Sequence, residues 1–281
     1  DLMSTYQQYV RVLSVAGSDS GGGAGIQADL KTISSLGCFG MTAITAITAQ
    51  NTQGVSDIHA IPPATLRAQM DAVLSDMGAD AIKIGMLHDV DTVMTVAACL
   101  QRYAVKSVVL DPVMVATSGA VLIQSTAIEA LVTQLFPLAS VVTPNLDEAA
   151  LLVGQDITDA NDLLPAGERL LGMGANAVLI KGGHLPGDRV SDLLVRVNQD
   201  PVWWHGDRIE TANTHGTGCT LSSAIATFMA QGVDLVTAVG NARDVIRQAL
   251  RAGAGVTTGR GSGPLNHFAA PVAMQINTIN K

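Results

Sequence analysis

The sequence predicts an α/β fold with three layers (α/β/α), in which a mostly parallel central sheet is flanked by helices and carries an added β-hairpin at one edge. Three observations support this prediction. Short apolar runs alternate with longer stretches of helical periodicity along most of the chain. The runs are apolar almost throughout, which is typical of parallel strands covered on both faces. The 281 residues are enough for one large hydrophobic core.

The first half of the chain begins with a predicted strand over residues 12–16. A helix follows, because apolar residues recur every three or four positions before Gly37, namely Ile26, Leu30, Ile33 and Leu36. A run rich in Thr, Ile and Ala predicts a second strand over residues 41–48. The same two patterns then predict a helix over 66–77, a strand over 81–84, a helix over 93–100 and a strand over 108–110.

The second half continues this alternation up to Gly183. Helix and strand are predicted twice more, over residues 128–135, 140–143, 163–171 and 177–180. Two runs that flank a turn segment then predict the edge hairpin, over residues 190–197 and 202–209. Two helices close the chain, over residues 221–230 and 235–252. Since we find no internal repeat and no linker, we expect one domain over residues 11–270.

Composition excludes several classes of protein. The chain has 24 acidic residues against 16 Lys and Arg, a formal net charge of −8, which argues against a nucleic-acid or anionic-membrane partner. A hydrophobic content of 48% excludes a disordered chain. Residues 1–10 lack the features of a signal peptide and are interpreted as an extension or leftover residues. Three scattered cysteines fit neither a disulfide framework nor a zinc site, so we expect a cytoplasmic protein.

Polar and glycine-rich segments follow six of the predicted strands. In an open parallel sheet, ligands bind just beyond the carboxyl ends of the strands. One such residue could merely cap its strand, but six in register indicate a binding site for a small molecule. These segments are the glycine loop at 17–25, Gln50–Asn51, Gly85–Met86, Asp111, Asn145 with Glu148, and residues 181–183.

The first glycine loop gives only a weak signal by itself. Residues 23–28 fit a relaxed GxGxxA dinucleotide fingerprint, but no acidic residue ends the second strand to hold a ribose. A nicotinamide-dependent oxidoreductase therefore stays an alternative that rests on this loop alone. Asp29, one turn into the following helix, could accept a hydrogen bond from a ligand or be a solvated helix residue.

The second glycine loop, residues 214–220, is more specific. Gly216 and Gly218 flank Thr217 directly before a predicted helix, so successive N–H groups can bind an anion such as a phosphoryl group in transfer. Donors held in this way are each worth about 10²–10³-fold in rate. Cys219 lies where the helix dipole favours a partial thiolate, although a buried apolar thiol is the commoner case.

Two further elements suit phosphate chemistry. Lys181 ends a buried strand before two glycines and can reach a phosphate. Asn145 and Glu148 share one helix face and offer oxygen ligands for hydrated Mg²⁺, although a helix cap explains this pair equally well.

Together these segments closely resemble the bacterial hydroxymethylpyrimidine kinase/phosphomethylpyrimidine kinase family of thiamine biosynthesis, part of the ribokinase-like superfamily. The resemblance runs from about residue 11 to about residue 268. It rests on AGSDSGGGAGIQADLK at 16–31, AQNT at 49–52, KIGM at 83–86, TPN at 143–145, KGGH at 181–184 and NTHGTGCT at 213–220.

The resemblance implies two ATP-dependent phosphorylations at one site, first of 4-amino-5-hydroxymethyl-2-methylpyrimidine and then of its monophosphate. It also implies a homodimer. The substrate would contact Gln50, which reads the pyrimidine edge, and a pocket lined by Gly17, Ala24, Asp29, Met86 and Val113. Catalysis would rest on Cys219, Gly216, Gly218 and Lys181. ATP would be bound by Asn145, Lys181, Thr214, His215, Gly216, Thr217 and Gly218, and Mg²⁺ by Glu148 and Asp111.

Two departures qualify these expectations. Sugar kinases of the superfamily carry an aspartate at the position of Cys219, so the general base stays open; a loose phosphoryl-transfer transition state needs little help from a base. Residues 112–119 are interpreted as a substrate lid. Relatives that phosphorylate pyridoxal through paired cysteines have the second cysteine where this chain has Ala116. Pyridoxine/pyridoxal kinase therefore remains the main alternative, and a non-catalytic vitamin sensor is a further one.

Overall fold

A computed structural model describes residues 4–280 of the protein, so residues 1–3 of the predicted extension lie outside the described residues. The strands are β1 (Thr5–Tyr9), β2 (Arg11–Asp19), β3 (Phe39–Asn51), β4 (Gly54–Ala60), β5 (Ala81–Ile84), β6 (Ser107–Leu110), β7 (Val141–Val142), β8 (Ala177–Lys181), β9 (Arg189–Arg196), β10 (Gln199–Asp207) and β11 (Ile276–Asn280). The α-helices are α1 (Gly25–Ser35), α2 (Pro63–Asp76), α3 (Val90–Arg102), α4 (Ser125–Ala130), α5 (Leu146–Val153), α6 (Leu163–Gly172), α7 (Thr217–Ala230) and α8 (Leu235–Gly253).

One large sheet organises the fold. Its nine strands run in the order β10-β9-β8-β7-β6-β5-β2-β3-β4. The six from β8 to β3 in this order are parallel, whereas β4, β9 and β10 are antiparallel to their neighbours. The predicted parallel sheet and the edge hairpin, formed by β9 and β10, are therefore confirmed.

Side chains of the inner strands alternate between two hydrophobic cores, because successive residues of a strand point to opposite faces. On one face, Val12 and Val109 pack with α1, α7 and α8, for example with Val239. On the other face, their neighbours Leu13 and Leu110 pack with the remaining helices. This two-sided burial is the reason why the inner strands are apolar almost throughout, and it confirms the three layers.

Several elements were not predicted from the sequence. The edge strand β4 is half exposed and polar, so it lacks the apolar run that marks the inner strands. The strands β1 and β11, near the two ends of the chain, pair with each other in a separate two-stranded sheet that is mostly exposed. Helix α7 begins at Thr217 rather than near Leu221, which brings Cys219 into its first turn. In the described part of the chain, no helix combines the length and apolarity needed to cross a membrane.

Candidate active site

The two glycine loops meet at the carboxyl edge of the sheet. Gly216 precedes α7 with φ of 83° and ψ of 9°, a left-handed conformation that disfavours other residues. A side chain at this position would collide with the carbonyl oxygen of Gly23 in the first loop. Gly23 in turn lies against the ring of His215, where an added Cβ would be 2.6 Å from Cδ2. Glycine at 216 therefore lets the backbones of the two loops touch, and glycine at 23 leaves room for the ring of His215.

The first turn of α7 presents free amide groups. The N–H of Thr217 donates to the carbonyl of Thr214 at 3.2 Å. Within residues 4–280, the N–H groups of Gly218 and Cys219 have no protein acceptor. These two donors lie at the positive end of a 14-residue helix. The arrangement is that of an anion-binding turn, as the sequence predicted, and its occupant stays a prediction.

Lys181 and Asp111 face this turn. The Nζ atom of Lys181 is 3.7 Å from Oδ1 of Asp111, and an added Cβ at Gly218 would be 3.3 Å from the same Nζ. Burial opposes the charge of Lys181, but the carboxylates of Asp111 and Glu148 outweigh it and raise the pKa of the lysine. The site therefore keeps a permanent cation beside two unpaired amides.

Asn145 and Glu148 form a helix cap, the alternative considered from the sequence. Oδ1 of Asn145 accepts from the N–H of Glu148 at 2.8 Å, and Oε1 of Glu148 accepts from the N–H of Asn145 at 2.9 Å. The other oxygen of Glu148 accepts from the N–H of Met114 at 3.3 Å. Burial and the nearby Asp111 raise the pKa of Glu148 to about 7. The cap and a metal-binding role are compatible, because this carboxylate keeps lone pairs free.

Cys219 differs from its predicted state. Burial, together with the negative charges of Asp29 and Asp111, raises the pKa of the thiol to about 11. Lys83 and the N–H of Gly25 act in the opposite direction but do not compensate. The partial thiolate expected from the helix dipole is therefore wrong for this structure, and Cys219 is a neutral thiol at pH 7.

A small apolar cluster forms one wall beside the loops. Met86 packs with Ala46 and Leu122, and Val113 lies against them. Gly17 packs against the same methionine, since a Cβ added at Gly17 would be 2.9 Å from the sulfur of Met86. The structure thus brings together Gly17, Met86 and Val113 of the predicted substrate set. Their contact with a substrate stays a prediction.

The remaining predicted substrate residues lie around this wall. The half-buried Gln50 accepts a hydrogen bond from Thr48 through Oε1 at 3.2 Å, while its Nε2 has no acceptor among the described residues. Ala24 lies in the first glycine loop and donates its N–H to Asp19. Asp29 is fully buried behind the wall, and its oxygens accept from Ser14, Lys83 and Ser223. With these partners in place, its predicted substrate contact has no support in the geometry and stays a prediction.

Asp19 and His215 form a buried pair that the sequence did not predict. Asp19 is 2% exposed, and its carboxylate accepts from three backbone N–H groups of the first loop, those of Gly21, Gly23 and Ala24. Its Oδ2 is also 2.9 Å from Nε2 of His215. Burial opposes ionisation, but the hydrogen bonds from His215 and the loop lower the pKa of Asp19 below its usual value. The pair therefore joins the two glycine loops. His215, predicted to bind ATP, is itself almost buried.

The predicted lid, residues 112–119, lies against the apolar cluster. Residues 113–122, called the lid from here on, fold back as a short hairpin, with Val115 paired with Val121. Its base is held by backbone bonds such as that from Leu122 N to Met114 O, 2.9 Å. Ala116, at the position of the second cysteine in pyridoxal-phosphorylating relatives, packs on the cluster.

Comparison with known proteins identifies the family of this chain. The model of the family described as phosphomethylpyrimidine kinase matches residues 19–266. A hydroxymethylpyrimidine/phosphomethylpyrimidine kinase of Rhizobium meliloti is 50% identical over 257 residues, which are 91% of this chain and 96% of the relative. The thiamine biosynthesis bifunctional protein ThiED of Geobacter sulfurreducens is 51% identical over 92% of this chain, and this chain spans 52% of that longer protein.

A solved structure shows the same fold over almost the whole chain. The pyridoxal kinase of Staphylococcus aureus, in complex with AMP-PCP and pyridoxal, superposes with a TM-score of 0.86 at 32% identity and covers 98% of this chain and 100% of its own. The expected ribokinase-like fold is thereby confirmed, and the oxidoreductase alternative loses its basis. The chain belongs to the phosphomethylpyrimidine kinase family.

Proposed function

We propose that the protein transfers the γ-phosphoryl group of ATP to the hydroxymethyl group of 4-amino-5-hydroxymethyl-2-methylpyrimidine, and then a second phosphoryl group to the monophosphate. Family membership supports phosphoryl transfer and ATP use, and relatives that span nearly the whole chain carry both activities in their name. The observation that carries the proposal is the turn at Gly218 and Cys219, whose N–H groups have no acceptor in the described part of the chain and where Gly218 lies beside Lys181.

In this reaction, the hydroxyl oxygen of the pyrimidine attacks the γ-phosphorus, the bond to the bridging oxygen breaks, and ADP leaves with that electron pair. The hydroxyl proton is released to a base or to water. The amides of Gly218 and Cys219 and the ammonium of Lys181 bind the negative charge of the phosphoryl group. Because the transition state is loose, positioning and charge stabilisation supply most of the rate. This is consistent with a neutral thiol at Cys219.

Asp111 and Glu148 are the residues that would hold magnesium. Both carboxylates are almost fully buried, and their mutual repulsion contributes to the raised pKa of Glu148. Lys181 offsets only one of the two negative charges, so a divalent cation fits this donor set. When bound, Mg²⁺ neutralises charge on the ATP phosphates. The residues proposed to contact ATP itself are Asn145, Lys181, Thr214, His215, Gly216, Thr217 and Gly218.

A pyridoxal kinase is the second candidate. It is favoured by the superposition on the Staphylococcus aureus enzyme, which was solved with pyridoxal. We rank it lower because the lid carries Ala116 in place of a second cysteine. The homodimer implied by the family resemblance, the cytoplasmic location expected from the cysteines, and the domain bounds 11–270 stay predictions.

A side-by-side assay tests this ranking. ADP release would be followed with the pyrimidine and with pyridoxal, and mass spectrometry would identify monophosphate and diphosphate products. We expect faster turnover of the pyrimidine and successive appearance of both products, with Lys181→Met as the background control. Faster turnover of pyridoxal, or a pyrimidine product that stops at the monophosphate, would overturn the proposal.

A further inference from the structure

Among the described residues, the tip of the lid is attached to the rest of the protein by the packing of Ala116 on the apolar cluster and by one side-chain hydrogen bond. Oγ1 of Thr117 is 3.3 Å from Nδ1 of His215. The neighbouring residue Ser118 lies near Gly54 at the start of β4. A Cβ added at Gly54 would be 3.7 Å from the Cβ of Ser118. The lid base is held by backbone bonds and by side-chain bonds from Met114 to Glu148 and between His88 and the carbonyl of Leu122. Thr117 is therefore placed to decide whether the tip stays closed.

His215 offers a rigid partner for this hydrogen bond. Its Nε2 is 2.9 Å from Oδ2 of Asp19, an oxygen that also accepts from the N–H groups of Gly23 and Ala24. Gly23 packs on the edge of the imidazole, and the N–H of His215 donates to the carbonyl of Gly263 at 3.1 Å. The ring is thus held by the first glycine loop, and its backbone is held by Gly263, so His215 offers the lid a fixed point of attachment.

The chemistry of the two ring nitrogens assigns the protons. An ionised carboxylate can only accept, so Nε2 of His215 carries the hydrogen that points to Asp19. In the neutral ring, Nδ1 then has a lone pair and accepts from the hydroxyl of Thr117. In the imidazolium, Nδ1 donates to the same hydroxyl oxygen. The threonine hydroxyl satisfies both protonation states, whereas an apolar side chain satisfies neither.

We propose that Thr117 and His215 form a latch that couples closure of the lid to the glycine loop that binds the phosphoryl group. Thr117 is in this view a positioning residue, which acts through the lid. A closed lid excludes water from the transferred phosphoryl group, so the latch favours transfer to the substrate hydroxyl over transfer to water. The coupling to turnover rests on the proposed kinase reaction, whereas the effect of the latch on lid closure does not.

Three lid variants test the latch. Thr117→Val keeps the shape and removes the hydroxyl, and Thr117→Ser keeps the hydroxyl. Ser118→Ala is the matched control, since the Ser118 hydroxyl has no hydrogen-bond partner among the described residues. Thr117 is exposed, so all three proteins should fold. We expect Thr117→Val to raise the KM for the pyrimidine about two- to tenfold, the range of one hydrogen bond. It should also form more ADP per phosphorylated product, while the KM for ATP changes little.

Hydrogen exchange of residues 113–122, followed by mass spectrometry, gives a readout that does not depend on turnover. We expect faster exchange in Thr117→Val, and wild-type exchange in Thr117→Ser and Ser118→Ala. Equal exchange, KM and coupling in Thr117→Val and wild type would overturn the latch, as would failure of Thr117→Ser to restore them. If the wild type transfers no phosphoryl group at all, the proposed function fails, and the exchange measurement still decides whether the latch exists.

Discussion

Lys83 and Asp29 form an ion pair in which Nζ is 2.8 Å from Oδ1 and both side chains are fully buried. Ser223, four residues after Cys219 on α7, donates to the same carboxylate. The network therefore ties α1 to α7 directly behind the anion-binding turn. Burial opposes the charge of Lys83, but Asp29 outweighs it and raises the pKa of the lysine far above its usual value.

Removing one partner of this ion pair should destabilise the folded protein. We predict that Lys83→Met lowers the free energy of unfolding by about 3–5 kcal/mol, because it leaves the Asp29 charge buried without its cation. Adding Asp29→Asn should recover part of this loss, because the neutral amide needs no counter-ion. Urea denaturation of both variants measures the effect. A single variant as stable as the wild type would show that the Asp29 carboxylate does not depend on Lys83.

The raised pKa of Glu148 predicts a dependence of stability on pH. Between its ordinary value of 4.5 and about 7, the folded protein retains a proton that the unfolded chain has lost. The contribution of Glu148 to stability is therefore present below this window and is lost as pH rises through it. Glu148→Gln keeps an oxygen that can accept the capping bond from Asn145, gives up the bond from Met114, and removes the titration.

We expect this variant to gain stability relative to the wild type on going from about pH 5 to about pH 8, by denaturation at both values. A stability difference that is the same at both pH values would contradict the raised pKa.

Cys219 should give turnover a dependence on pH. If its sulfur accepts the substrate proton, kcat rises between about pH 6.5 and about pH 9, because the thiolate fraction grows below its pKa of about 11. Cys219→Ala should then lower kcat by about 10²–10⁴ and flatten the profile. Steady-state rates across this range measure both effects. Near-normal activity in the variant would show that the thiol only fills space.

Gly216 should be intolerant of a side chain for two separable reasons. Gly216→Ala incurs the left-handed backbone cost of about 1–2 kcal/mol and in addition meets the carbonyl of Gly23. Gly232 is a matched control, because it has φ of 89° and no atom within 4 Å of an added Cβ. We expect the loss in Gly216→Ala to exceed that in Gly232→Ala in urea denaturation. Equal losses of stability in the two variants would mean that the two glycine loops can move apart at little cost in free energy.

Gln50 should affect pyrimidine binding without affecting ATP. Its Nε2, which has no acceptor within residues 4–280, can donate to a ring nitrogen. Gln50→Ala should therefore raise the KM for the pyrimidine by about tenfold, the upper range for one hydrogen bond. The exposed neighbour Gln53 provides the control variant Gln53→Ala. Calorimetric titration with ATP should give the wild-type affinity in both. An unchanged KM for the pyrimidine in Gln50→Ala would remove this residue from the pocket.

Much of the fold was predictable because burial leaves a strong imprint on composition. The inner strands β2, β5, β6 and β8 are apolar on both faces, and the helices between them show one apolar stripe each. The strands β1, β4 and β11 escaped prediction because they are largely exposed. After Ala130, helix α4 continues as a π-helix over Leu131–Leu135 and then as a short 3₁₀ helix that contains Pro137.

By itself, the sequence determined the layered fold, the edge of the sheet where polar groups gather, and the glycine-flanked turn, since local pattern and strand direction suffice for these. Only the tertiary structure determined the pKa values and the contacts of the ionisable groups at that edge. The raised pKa values of Cys219 and Glu148 and the contact between Asp19 and His215, 196 positions apart in sequence, all depend on burial and on groups from distant segments. Such long-range electrostatic effects have no counterpart in the spacing of residues along the chain.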